Sequence, residues 1–241
     1  MQPTNHKMSF GYGIKQGLPI TIGYVPVAFA FGLMAVNGGI HPLLAILISL
    51  SNLTSAGQFA GTNLIIAGAT YAEITLTTFV INIRYMLMSL SLSQKLAPKV
   101  SLMERLLLSF GITDETFAVA SSEKNSLTFT YMIGLIIGPI AGWTGGTALG
   151  ALVSEALPAT LTGALGIALY GMFLAILVPP SKHNLSILLV VVLSCILSCL
   201  IKYVKVFHLI SSGFRVILVT ILVCTAAAIL FPIKEDELLR Q

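Results

Sequence analysis

Seven long apolar runs, separated by short polar or glycine- and proline-bearing turns, set the pattern of this chain: Leu18–Val36, Leu43–Ala67, Ile74–Leu92, Leu127–Val153, Leu161–Val178, Leu185–Ile201 and Ile210–Phe231. At about 1.5 Å per helical residue, each covers most of a hydrocarbon core about 30 Å thick, and each is too long for a barrel strand. Backbone amides in lipid must be satisfied within their own segment, so the pattern predicts helices. The turns are legible as well: Asn37-Gly38-Gly39 before His41-Pro42, Pro179-Pro180-Ser181 before Lys182, and Pro232 after the last run. The expected fold is all-α, a polytopic integral membrane helical bundle of six to seven membrane segments with glycine- and proline-broken helices. It forms one transmembrane domain over 1–241, with a short tail at 1–14, an amphipathic connection at 93–126 and a second tail at 233–241.

Composition supports a bilayer as the medium. Of 241 residues, 56% are hydrophobic and 9% charged, against about 25% charged in soluble domains; mean hydropathy is +0.95. The net charge of +4 does not suggest nucleic acid, because the basic residues lie scattered at the ends of apolar runs. Cys195, Cys199 and Cys224 sit inside such runs without the spacing of a metal site or a disulfide framework, so neither metal nor cofactor is expected. Lys7, Lys15, the apolar Leu18 to Val27 and Ala28-Phe29-Ala30 imitate a secretory signal. The apolar run continues through Val36, however, long enough to remain as a span.

Orientation follows from Lys and Arg outside the membrane. Seven plain crossings divide them five against seven; if Leu43–Ala67 dips in and returns, the division becomes nine against three. That favours six effective crossings with both termini in the cytoplasm. Leu43–Ala67 invites a break independently, since Ser51, Asn52, Thr54, Ser55, Gln58, Thr62 and Asn63 crowd its centre. On one helix Ser51, Ser55, Gln58 and Thr62 would share a face pointing away from lipid, while Gly57 and Gly61 equally suit a packing seam in an unbroken tilted helix. The first run carries Gly17, Pro19, Gly23, Pro26 and Gly32. Pro26 frees the carbonyl of Ile22, either as a simple kink or as a substrate-facing discontinuity beside Tyr24.

Arg84 is the strongest chemical signal. It is the one charge in Ile74–Leu92, and a guanidinium at mid-bilayer costs roughly 2.5–3.5 kcal/mol even on lenient insertion scales. Thr77, Arg84 and Ser91 align along one face, with Thr78, Asn82, Tyr85 and Ser89 in an adjacent stripe. Arg84 either binds a carboxylate through its planar fork or makes a fixed salt bridge with Glu73, Asp114 or Glu115. In Gly111-Ile112-Thr113-Asp114-Glu115-Thr116-Phe117, Thr113 suits a helix cap and the two acids suit the positive end of the dipole. Apolar residues flank them on both sides, so the acids are also candidates for proton exchange that couples transport. Leu18–Leu92 and Met132–Ile201 each read as three segments, a possible inverted repeat of the transporter kind.

Four stretches in order carry a family resemblance: Tyr24-Val25-Pro26-Val27-Ala28-Phe29-Ala30-Phe31-Gly32, Ser55-Ala56-Gly57-Gln58-Phe59-Ala60, Asn82-Ile83-Arg84-Tyr85-Met86-Leu87-Met88-Ser89 and Thr113-Asp114-Glu115-Thr116-Phe117. Over roughly residues 10 to 200 the chain resembles the AzlC-type family, the large subunit of bacterial branched-chain amino-acid exporters. The resemblance implies export of valine, leucine, isoleucine or analogues across a bacterial inner membrane, with a small AzlD-type membrane subunit as partner. It assigns no binding residues. From the residues themselves, the candidate substrate-binding set is Arg84, Asn82, Tyr24, Pro26, Ser55, Gln58 and Asn63, and the candidate coupling pair is Asp114 and Glu115. A substrate carboxylate suits Arg84, its ammonium suits freed carbonyls or Asp114, and its side chain suits walls such as Phe29, Phe31 and Phe59. The competing classes are a membrane-embedded enzyme, for which no GxSG or HExxH motif speaks, and a channel-like pore.

Overall fold

A computed structural model describes residues 8–154, 171, 174, 177–182, 184–204 and 210–231. Nine helices are named among them: α1 Phe10–Asn37, α2 Pro42–Ser51, α3 Ala56–Ile66, α4 Tyr71–Lys95, α5 Leu102–Phe110, α6 Asp114–Ser122, α7 Phe129–Val153, α8 Leu185–Tyr203 and α9 Ser212–Leu230. α1, α4, α7, α8 and α9 are long and apolar enough to cross a membrane. Polar caps fix where several begin: the side chains of Ser9, Thr70, Thr128 and Asn184 each accept from a backbone N–H of the following turn. Most of the run Leu161–Val178 and the chain termini lie outside the described residues.

The bundle is organised on α1 and α7, which run parallel along their whole length. Gly134 abuts Phe10 and Ile14, Gly142 abuts Thr21, Gly146 abuts Val25, and Gly32 abuts Thr147 and Ala151. Both positions advance together, which sets the common direction. In lipid no hydrophobic force drives helices together, so backbones approach closely where small residues let them. The inverted repeat is thereby corrected, since the leading helices of the two proposed halves point the same way. The prolines do not break them either. α1 is continuous through Pro19 and Pro26, and α7 through Pro139.

The break falls instead at Asn52–Ser55, where neither glycine nor proline stands. Asn52 Oδ1 accepts from the Thr54 amide at 3.1 Å and from its hydroxyl at 2.6 Å, and Ser55 takes φ 46°, the one positive φ outside glycine among the described residues. Such a conformation costs on the order of 1–3 kcal/mol and persists only where its surroundings enforce it. α2 and α3 form a hairpin: Gly38, just before α2, is wedged against Ile66 at the end of α3. Ten and eleven helical residues reach about halfway across the core before the chain turns back. Returning, α3 runs antiparallel to α4, with Gly57 on Asn82 and Gly61 on Thr78. Leu43–Ala67 is therefore a half-crossing hairpin, and the single polar face expected of Ser51, Ser55, Gln58 and Thr62 is divided between two helices.

A second hairpin enters from the other side. Lys95, Ala97 and Leu127 are joined by backbone hydrogen bonds, which places the end of α4 beside the start of α7. From there α5 rises, and Gly111 packs against Ile136 at the level of mid-α7. α6 then descends until Glu123 meets Tyr12 and Gln16 near the start of α1. The connection at 93–126 is thus an inserted helical pair.

α9 packs on α4 at the opposite end. Glu73, 6% exposed, accepts from the Gly213 amide at 2.9 Å and so caps an α9 whose own Ser211 makes no side-chain cap. α8 runs antiparallel to α9, with Ser186 and Ile187 lining one cleft with Ala227 and Phe231. Among the described residues, these directions put Lys15, Lys95, Lys99, Arg105, Lys124 and Lys182 at one end of the bundle and Lys202 and Arg215 at the other. By the charge rule, this basic end is the one expected to face the cytoplasm.

Candidate functional site

The two hairpin tips meet at the middle of α4. Arg84 Nη1 donates to Asp114 Oδ1 at 2.9 Å and lies 2.8 Å from Oδ2, so the first acid of α6 is the arginine's ion-pair partner. Of the three partners the sequence allowed, Glu73 is occupied at α9. Glu115 turns to α1 and meets the hydroxyl of Tyr24, which also lies 2.7 Å from Thr113 Oγ1. Thr113 and Thr116 close a capping box that fixes the first turn of α6 and so aims both acids.

Tyr85 joins the two tips. Arg84 Nη2 donates to its hydroxyl at 3.2 Å, and that hydroxyl donates to the Thr54 carbonyl at 3.1 Å in the outer hairpin. The guanidinium also lies 4.9 Å from the Tyr85 ring centroid, a cation–π contact. Arg84 Nε, Ser55 Oγ and Asn82 Oδ1 are buried without a hydrogen-bond partner. A guanidinium with five donors, one edge of which has no carboxylate, retains capacity for a second planar anion. Ser55 adds no side-chain cap to α3, so that helix presents its positive end at the same level. The Arg84 and Asp114 side chains are 42% and 32% exposed in the isolated chain, so the pair is accessible to a ligand.

Arg84, Asn82, Tyr24, Ser55, Asp114 and Glu115 therefore converge on the tips. Gln58 is close by but fully committed: its Nε2 donates to Ser49 Oγ at 2.6 Å, its Oε1 accepts from Trp143 Nε1 at 2.9 Å, and Ser49 shares a 2.6 Å hydrogen bond with Thr147. At 2% exposure it pins the outer hairpin to α7 rather than facing a ligand. Pro26 is exposed on the outer surface of α1, on the side away from buried Tyr24. Asn63 is exposed too, lining a cavity of about 180 Å³ with Thr77 and Gly213 between α3, α4 and α9. Both leave the site, because α1 does not open at Pro26 and the α3 face bearing Asn63 turns from the tip. Sequence reasoning missed Thr113 as a partner of Tyr24, and missed Trp143. Its being the sole tryptophan, in a glycine-rich run, was the available signal.

The chain matches the family described as AzlC protein over residues 19–157. It belongs to the AzlC family. Relatives include the inner membrane protein YgaZ of Escherichia coli K12, 32% identical over 194 residues, covering 77% of this chain and 79% of YgaZ. A membrane protein of Archaeoglobus fulgidus is 33% identical over 184 residues, covering 76% of this chain and 80% of its own length. No solved structure matches. All the tip residues of this AzlC-family chain fall inside the matched region, and its multi-pass helical architecture agrees with membrane relatives on both counts.

Proposed function

We propose that this chain is the transport subunit of a branched-chain amino-acid exporter of the cell membrane, driven by a proton gradient and working with a small AzlD-type membrane subunit. The observation that carries the reading is Arg84: a guanidinium at mid-membrane, paired on one edge with Asp114 and buried without a partner at Nε. A substrate carboxylate would take Nε together with the N–H of Nη2 that Tyr85 does not use, and the uncapped α3 terminus favours the same charge. Asn82 Oδ1 and Ser55 Oγ offer acceptors for an ammonium group. Phe31 and Phe59, packed edge to face at 5.2 Å, lie in the buried core together with Tyr24.

The test is efflux of preloaded isoleucine, methionine and lysine from vesicles with and without the chain and its partner. Efflux confined to branched apolar substrates is expected. Arg84→Lys, at normal membrane abundance, should lose most of it, because an ammonium cannot reproduce the fork. A fully active Arg84→Lys protein would reduce Arg84 to a structural counter-ion.

A further inference from the structure

Two acids stand beside one cation at the tips. Asp114 places both oxygens on Arg84 Nη1, whereas Glu115 has a neutral phenol, Tyr24, as its partner. The charged and titratable groups facing this pair are Tyr24 from α1 and Arg84 and Tyr85 from α4. Among the described residues, no second cation approaches from an element packed there. Glu115 is thus a mid-membrane carboxyl that needs a positive group which the described residues do not supply, while Asp114 already has one.

We infer that Glu115, not Asp114, reads the substrate's ammonium and alternates it with a proton. This deepens the exporter reading and rests on it, since it takes the ligand to be a zwitterion whose carboxylate sits on the free edge of Arg84. Such an exchange requires Glu115 to hold a proton whenever the ammonium is absent. When substrate binds, its ammonium, already protonated, takes the carboxylate, and the displaced proton leaves to bulk water; no bond within the substrate changes. One carboxyl cannot hold both, so proton and substrate exclude each other at Glu115, which is the requirement for exchange. Asp114 is the positioning residue that holds Arg84 in place. It also ties the inner hairpin to α4.

The experiment is calorimetric binding to the purified protein in two buffers of different ionisation enthalpy, using leucine and 4-methylpentanoate, the same skeleton without the amino group. Wild type should bind leucine with release of a proton and prefer it to 4-methylpentanoate by at least about tenfold, the size of one charge-assisted hydrogen bond. Glu115→Gln should lose both the preference and the proton release while still binding the carboxylate. Asp114→Asn should keep both signatures, whatever its affinity. Loss of the signatures in Asp114→Asn and their survival in Glu115→Gln would overturn the assignment. So would equal binding of the two ligands by wild type, a measurement that needs no variant to fold. The exporter reading fails separately: if lysine, and no branched amino acid, binds with the same proton release and Glu115 dependence, the assignment stands and the substrate does not. If no amino acid binds, both fall.

Discussion

Adjacent glycines at 145 and 146 test the parallel α1–α7 seam directly. A methyl group at Gly146 would lie 2.6 Å from the Val25 carbonyl oxygen and 2.9 Å from Ala28 Cβ, whereas one at Gly145 would meet nothing within 4 Å. Comfortable carbon contacts are about 3.5–4.0 Å, so Gly146→Ala must part the helices by roughly 1 Å. Overpacking of this kind costs about 1–3 kcal/mol. Gly145→Ala should instead gain roughly 0.5–1 kcal/mol from the helix preference of alanine. At about 2–4 °C per kcal/mol for a chain of this length, Gly146→Ala should melt several degrees below Gly145→Ala. Trp143 supplies the probe, being the sole tryptophan and 1% exposed in the folded chain. Thermal unfolding in detergent, followed by its emission, reads both variants. Because the Tyr24 ring packs edge-on to Trp143 at 5.3 Å, parting the seam should also disturb Tyr24 at Glu115, and transport should fall in Gly146→Ala alone. Equal melting temperatures would refute the close parallel packing and the topology drawn from it.

Two further outcomes follow from the hairpins. In a background without Cys195, Cys199 and Cys224, single cysteines replacing exposed Asn37 and Tyr71 should both label from one face of the membrane and one replacing Asn125 from the other; opposite-face labelling of Asn37 and Tyr71 would mean that α2–α3 crosses. Gln58→Leu removes the partner of Trp143 Nε1 and one partner of Ser49. It should cost about 1–3 kcal/mol and shift the Trp143 emission, read in the same thermal scan; an unchanged spectrum would detach the outer hairpin from α7.

The spans and the ion-bearing centre were legible because each leaves a one-dimensional mark. A long apolar run with a lone arginine reads the same in sequence and in space, and the nine-against-three charge count anticipated the hairpin at Leu43–Ala67 from nothing more than side-of-membrane bookkeeping. Tyr24, Ser55, Asn82 and Arg84 were found by polar residues interrupting apolar faces. What failed was local inference about breaks. Pro26 sits where the helix bends around nothing, because a single missing N–H is tolerated in a packed helix. Asn52–Ser55 breaks because the Asn52 side chain captures the Thr54 amide two positions on and Tyr85, 31 positions away, captures the Thr54 carbonyl, a contact that no window reveals. Gln58 and Asn63 looked alike in sequence. Only the packing of α3 decides that one meets Trp143 and the other faces outward.

The bonds that hold the two hairpins differ in kind, and that difference bears on transport. The outer hairpin is held by neutral, fully buried hydrogen bonds among Ser49, Gln58, Trp143 and Thr147. The inner hairpin is held by Asp114 on Arg84 and Glu115 on Tyr24. A zwitterion has nothing to offer the first set, whose donors and acceptors are already matched within protein. It can compete for the second, since it carries both charges that the inner tip uses. A ligand shifts a conformational balance only through contacts that differ between the two states. Under the proposed mechanism, the differential contacts are therefore those of the inner tip, and the cytoplasmic hairpin is the element whose closure depends on what occupies the site. The outer hairpin, whose strained Ser55 is enforced by Tyr85 reaching Thr54, feels the ligand through two connections: Arg84 and Tyr85 to Thr54, and Tyr24 against Trp143, which donates to Gln58. Movement of the guanidinium or of the Tyr24 ring is how the inner tip can alter the outer one across the middle of the membrane.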